Sequence, residues 1–91
     1  MNFDLNSMME KLQEQMKAAD SKIFTANAGG GLVEASVNGK FEVVDIKIDD
    51  SLLEDKESLQ ILLISAINDA IKMMLDDKRE EALNMFSGMV K

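Results

Sequence analysis

The stretch from Ala28 to Asp49, AGGGLVEASVNGKFEVVDIKID, decides the fold of this 91-residue chain. Its alternating polar and apolar residues predict a glycine bend, a strand, an Asn-Gly turn and a second strand. Gly29, Gly30 and Gly31 allow the positive φ angles that a tight bend needs. They precede a strand rather than a helix N-terminus, which argues against a phosphate-binding loop.

The dipeptide Asn38-Gly39 is typical of a two-residue type I′ hairpin turn, which would set the register of both strands. The predicted pairs then run from Val37 opposite Lys40 to Leu32 opposite Asp45. This register gives a core face of Val33, Ala35, Val37, Val44, Ile46 and Ile48. The opposite face is partly apolar, and we expect a partner subunit to cover its Leu32, Phe41 and Val43.

A helix is predicted before this unit, because apolar residues recur at intervals of three or four along the first twenty-odd positions. It should begin near Asp4 or Ser7, both of which are suitable caps, and give way near Ser21 to a first strand within residues 22–28. Its apolar face consists of Leu5, Met8, Leu12, Met16, Ala19 and Ile23. This spacing suits a helix that packs along another helix.

A single long helix is predicted from about Lys56 to Met85, with Ser51 or Asp55 as its cap and Gly88 as its end. Two apolar stripes make its first half apolar around most of its circumference. The first comprises Leu59, Leu62, Leu63, Ala66, Ile67, Ala70 and Met74, and the second comprises Ile61, Ile64, Ile71 and Leu75. A short monomer cannot bury such a helix on several sides, so we expect a homodimer. The charged second half should form a solvated arm.

Composition excludes several classes of protein. The chain has neither cysteine nor histidine, so thiol and histidine catalysis and ordinary transition-metal sites are not expected. We therefore expect no enzyme, no cofactor, no metal and no small-molecule substrate. The N-terminus lacks signal-peptide features, and the longest apolar run, residues 61–64, is far below the roughly 20 residues of a membrane span. The expected protein is cytoplasmic, with no membrane partner.

Several motifs in order resemble the YbaB/EbfC family of nucleoid-associated proteins. They are Gly31-Leu32-Val33, Asn38-Gly39, Ile46-Lys47-Ile48-Asp49, Ser51-Leu52-Leu53 and Asn68-Asp69-Ala70. The resemblance implies an α+β fold of helix, three-stranded antiparallel sheet and long helix, as one domain over residues 1–91. It also implies a homodimer with projecting, tweezer-like helical arms that binds double-stranded DNA, associates with the nucleoid and affects gene regulation.

The net charge of −7 opposes DNA binding on average, so binding would require that the basic residues be segregated from the acids. The candidate phosphate contacts are Lys11, Lys17, Lys72, Lys78 and Arg79. Lys78 could instead pair with Glu81, three residues further along the helix. The dimer interface is predicted at Leu32, Phe41, Val43, Ile61 and Ile64.

A second function stays open from the residues alone. Methionine and phenylalanine near the end of the long helix could form an adaptable apolar groove for a partner helix. These residues are Met73, Met85, Phe86 and Met89. The chain would then be a non-enzymatic protein-interaction module.

Overall fold

The computed structural model describes residues 5–89, apart from the side chains of Gln15, Ala19 and Met89. The order of elements is α1 (Leu5–Asp20), β1 (Ile23–Ala28), β2 (Val33–Asn38), β3 (Val43–Ile48) and α2 (Lys56–Met89). A short 3₁₀ turn, Asp50–Leu52, joins β3 to α2. The predicted α+β order of helix, three strands and long helix is confirmed. The proposed cap at Asp4 lies outside the described residues.

The three strands form one antiparallel sheet in the order β1-β2-β3. The predicted register between β2 and β3 is wrong by four residues, since Val33 lies opposite Ile48 rather than Val44. An even shift keeps residues 45–48 on their predicted faces, so Ile46 still packs against the core. A bulge between Ser36 and Val37 then changes the register by one residue near the turn.

The side chain of Asn38 explains the different register. Its Oδ1 accepts hydrogen bonds from the amides of Lys40 (2.8 Å) and Glu42 (3.1 Å), which stabilises a longer turn. The positive φ of this turn falls on Phe41, at 65°, and Asn38 itself belongs to β2. The type I′ prediction is therefore wrong. The Gly29–Gly31 prediction is confirmed, because all three glycines have positive φ, between 66° and 98°.

The core lies between α2 and the first two strands. Val33, Ala35 and Val37 of β2 are fully buried, as predicted. They meet Ala66, Ala70 and Met74, which recur every four residues along one face of α2 and are also fully buried. The small alanines allow the helix to approach the sheet closely. The core thus holds α2 along β1 and β2.

Two predictions about the faces of this unit need correction. The alternation predicts Leu32 on the outer face of the sheet, but this side chain packs against the core because it sits in the bend beside α2 rather than in a strand. Val44 and Ile48 are predicted in the core, yet they are 49% and 38% exposed. The reason is that α2 packs over β1 and β2 and leaves β3 at the uncovered edge.

Two helical segments extend away from this packed body. We call α1 the first arm, and residues 75–89, which follow the last buried residue of α2, Met74, the second arm. The radius of gyration is 18.3 Å, whereas a compact 91-residue domain has about 12 Å. Gly88 does not end α2 as predicted, since the helix continues to Met89.

The helix α2 is also long and apolar enough to cross a membrane by length and composition alone. No membrane span is predicted from the sequence when only uninterrupted apolar runs are considered. Single polar residues such as Ser65 and Asn68 break those runs without lowering the hydropathy of the whole segment. The core helix of a soluble protein has the same properties, and α2 buries one face against the sheet.

Candidate nucleic-acid interface

The first arm presents its predicted phosphate contacts to solvent. Lys11 and Lys17 are exposed on α1, which makes at most isolated contacts with the other elements. Its apolar face is equally uncovered within the chain, since Leu5, Met8, Leu12 and Met16 are each 48–64% exposed. The arm therefore exposes two cations, which lie among the acids Glu10, Glu14 and Asp20, together with an apolar face.

The predicted phosphate contacts on α2 differ in their exposure and in their ion pairs. Lys72 lies beside the body, on the part of α2 that packs against the sheet, and is exposed. Lys78 is half-buried, and its expected partner Glu81 is engaged elsewhere. Arg79 is exposed and lies 4.0 Å from Asp76 in a pair that is about three-quarters exposed on both sides. Exposed pairs of this kind hold a side chain weakly, so Arg79 can exchange Asp76 for a phosphate.

Lys22 is a functional candidate that sequence reasoning missed. It lies between the first arm and β1, and its Nζ donates to Glu81 (2.7 Å) and Asp77 (3.1 Å). The hydrogen bond to Glu81, followed by that to Asp77, raises the pKa of Lys22 above its ordinary value. No local spacing signals this pair, because 55 and 59 residues separate the partners.

Lys40 is a second candidate that sequence reasoning missed. It lies in the β2–β3 turn and, like Lys17, lines a shallow depression at the base of the first arm. Asn38 fixes the turn, since it also donates to the carboxylate of Glu42 at 2.8 Å. The depression contains carboxylates beside the lysines, contributed by Asp20 and Glu42. The longer turn, which the sequence did not reveal, is what brings Lys40 to this position.

The predicted dimer-interface residues come from three parts of the fold. Ile61 and Ile64 are 67% and 62% exposed on α2, whereas Phe41 and Val43 lie in and beside the β2–β3 turn, 59% and 45% exposed. Leu32 packs in the core of its own chain. The four exposed residues remain candidates for contact with a second copy.

The exposed cations of the two helices are the feature of this arrangement that could contact a polyanion. Across residues 5–89, no group of three or more acidic side chains is placed to hold a metal ion. The pronounced features are two long helical segments with cations spaced along them. Cations on a projecting helix can follow the phosphates of a nucleic acid, which supply most of its non-specific affinity for proteins.

Comparison with known proteins identifies the family of this chain. The family model described as the YbaB/EbfC DNA-binding family matches residues 1–89, and the chain belongs to that family. It is a family of nucleoid-associated DNA-binding proteins, not of enzymes.

Individual relatives with similar sequences are also named nucleoid-associated proteins. The chain is 53% identical to a nucleoid-associated protein of Aliarcobacter butzleri, over 97% of this chain and 87% of the relative. It is 58% identical to one of Campylobacter lari, over 93% and 84%. Among solved structures, it is similar to an uncharacterized protein of Helicobacter pylori, with a TM-score of 0.72 and 43% identity. That match covers 89% of this chain and 96% of the other.

Proposed function

We propose that this protein is a homodimeric, nucleoid-associated protein of the cytoplasm that binds double-stranded DNA through its helical arms. The observation that carries the proposal is that both arms leave the packed body with exposed cations, Lys11 and Lys17 on one and Arg79 on the other. Lys72 and Lys78 are further candidates on α2. Through this binding the protein organises the nucleoid or affects gene regulation.

Low sequence specificity follows from the kinds of cation. Arg79 is the single arginine of the chain, and the other basic residues are lysines. The commonest specific contact to a base is a bidentate arginine on guanine, whereas lysine contacts phosphates mainly as a point charge. The chain also lacks tryptophan and tyrosine, the usual platforms for stacked bases. Phosphates and the shape of the duplex would then be the features recognised.

A homodimer is supported by the apolar side chains that the single chain leaves uncovered. They occur on the first arm, on α2 and on β3, and include Leu12, Met16, Ile61, Ile64 and Val44. Apolar side chains that a single chain leaves exposed on three elements favour burial against a second copy. A dimer doubles the number of arms and also doubles the net charge of −7, so the arm cations must face the DNA while the acids face away.

The experiment is a mobility-shift titration of purified protein against duplexes of unrelated sequence at several salt concentrations. We expect micromolar protein to retard all duplexes at low salt. The affinity should fall as salt rises, with a shallow slope because few phosphates are neutralised per protomer. Absence of retardation at low salt would contradict DNA binding. Retardation of one sequence alone would contradict low specificity.

A protein-interaction module is the second candidate, and a specific observation favours it. Met73, Met85 and Phe86 are 45%, 62% and 66% exposed on α2, where they could receive the apolar face of a partner helix. Affinity capture with and without nuclease separates the two functions. A partner held through DNA is lost after digestion, whereas a partner held by these apolar side chains is retained.

A further inference from the structure

The bases of the two arms are joined by one side chain. The first arm ends at Asp20, β1 begins at Ile23, and Lys22 lies between them. Its ammonium group donates to Asp77 at 3.1 Å and to Glu81 at 2.7 Å, both on the second arm. Lys22 therefore connects the residues just after the first arm to the beginning of the second arm.

The two carboxylates that Lys22 contacts lie just beyond the packed part of α2. Asp77 and Glu81 are four residues apart, so they lie one above the other on one face of the helix. Both follow Met74, the last residue of α2 that is buried against the sheet. Since α2 is one unbroken helix held by its packed half, the lysine fixes the residues at the exit of the first arm against a rigid element.

The base of the first arm, residues 17–21, has one further hydrogen bond to the sheet among the described residues. The amide of Gly39 in the β2–β3 turn donates to the carbonyl of Asp20 at 3.1 Å. The Ser21 hydroxyl and amide bond back to carbonyls of α1 itself and tie it to nothing else. Since α1 makes at most isolated contacts with the other elements, the Gly39 bond and the Lys22 bridge are the polar contacts that locate its base.

The bridge also changes the charge of the second arm. Residues 75–89 carry the acids Asp76, Asp77, Glu80 and Glu81 against two cations, Lys78 and Arg79. Lys22 contacts two of these four acids with a single positive charge, so the net charge around the second arm changes from −2 to −1. This partial compensation reduces the repulsion between the second arm and a polyanion.

We propose that Lys22 is a positioning residue for DNA binding, which sets the placement of the arms and offsets one of the two negative charges of Asp77 and Glu81. The inference rests on the proposed function, and it adds a role for a lysine that contacts no phosphate itself. Because the lysine and both carboxylates are 30–46% exposed, the bridge contributes little to the stability of the fold. Its removal should change where the arms point and leave the protein folded.

The first test measures the distance between the arms without DNA. The chain has no cysteine, so Gln13→Cys and Asn84→Cys place one spin label on each arm with no background. Labelled chains are diluted with excess unlabelled protein, so that the measured distances lie within one protomer. We expect the same narrow distribution with Lys22 or Lys22→Arg, and a broader or displaced one with Lys22→Met, which keeps the apolar stem without the charge. An unchanged distribution in Lys22→Met would overturn the positioning role.

The second test measures DNA affinity over a salt series. Lys22→Met should weaken binding severalfold and leave the slope of log affinity against log salt unchanged, because the same phosphates are still neutralised. Lys22→Arg should bind like wild type. Lys56→Met, which removes the same charge from an exposed lysine at the start of α2, should have a smaller effect.

Two results of the salt series would overturn the inference. A slope that is lower by about one in Lys22→Met would mean that Lys22 itself contacts phosphate. An affinity equal to that of Lys56→Met would mean that only the net charge of the protein matters.

The two tests separate this inference from the proposed function. If wild-type protein fails to bind DNA, the proposed function is wrong, and the label distances still decide whether Lys22 holds the arms. If wild-type protein binds DNA and Lys22→Met alters the distances without altering affinity, the proposed function stands and the link between arm placement and DNA binding is wrong.

Discussion

Gly29 lies directly against Leu62. A β-carbon built on Gly29 would come within 2.8 Å of the Leu62 Cδ1 atom, closer than non-bonded carbons approach in proteins. Gly29 also has a φ of 66°, in the region that disfavours side chains. The bend between β1 and β2 therefore requires glycine both for its backbone angle and for the approach of α2.

Gly29→Ala should destabilise the protein more than Gly30→Ala. Both positions have positive φ, which costs about 1–2 kcal/mol for a residue with a β-carbon. Gly30 has open space around the added atom, so its variant carries only that cost. The contact with Leu62 should add roughly 1 kcal/mol at Gly29, since the end of a leucine side chain can move aside. Urea unfolding of both variants measures the difference, and equal destabilisation would contradict the close packing.

Met74→Ala should remove a central part of the core. Met74 is fully buried with Ala26, Val37 and Ala70, and truncation of a buried methionine costs about 2–5 kcal/mol. Met73 is 45% exposed and serves as the matched control, with a far smaller expected destabilisation. Urea unfolding at one fixed protein concentration compares the two, because dimerisation would make stability depend on concentration. A larger destabilisation by Met73→Ala would contradict the orientation of α2.

The contribution of Asp49 to stability should disappear in acid. Its Oδ2 accepts hydrogen bonds from the Ser51 hydroxyl (2.5 Å) and amide (3.0 Å), which lower the pKa of Asp49 below its ordinary value of 3.8. A carboxyl whose pKa is lower when folded stabilises the fold above the unfolded pKa, and this stabilisation is lost as pH falls through the folded pKa.

The urea midpoint of Asp49→Ala, compared with wild type at a series of pH values, checks this sign. Wild type should be more stable at pH 7, and the difference should shrink as the pH falls below about 4. A difference that stays constant or grows towards acid would contradict the hydrogen bonds at Asp49.

The sequence predicts the elements well because their signals are local. The alternation of Val33, Ala35 and Val37 places them in the core, and the four-residue spacing of Ala66, Ala70 and Met74 gives the buried face of α2. Exposure of Lys11 and Lys17 follows from the polar face of α1 in the same way. These features need only the geometry of a single helix or strand.

The features that the sequence did not reveal depend on a choice between local alternatives or on distant contacts. Asn38-Gly39 is compatible with a two-residue turn, but the Asn38 side chain bonds the amides of Lys40 and Glu42 and selects a longer one. Glu81 has a cation three residues away in Lys78, yet it pairs with Lys22 because β1 lies along α2. The length of the turn and the partner of Glu81 are therefore visible only in the folded structure.

Dimerisation should depend on the exposed apolar face of α2. Ile61 is 67% exposed, and a glutamate there would place a charge in any interface that covers it. We expect wild type to scatter light with twice the 10.1 kDa mass of the chain, and Ile61→Glu to shift towards the monomer. Gln60→Glu adds the same charge at the adjacent exposed position and should remain dimeric. A monomeric wild type at micromolar concentration would contradict the proposed assembly.

The central claim is that the arms carry the DNA contacts, and the salt dependence of binding tests it most directly. The slope of log affinity against log salt falls by about 0.9 for each phosphate that a variant no longer neutralises. Three double variants are compared with wild type: Lys11→Ala/Lys17→Ala, Lys78→Ala/Arg79→Ala, and the control Lys47→Ala/Lys56→Ala, which removes two exposed cations outside the arms. Each pair changes the net charge equally.

The account predicts weaker binding with a shallower slope for both arm variants, and a slope like that of wild type for the control. Equal slopes in all three variants, or a reduced slope in the control alone, would contradict it.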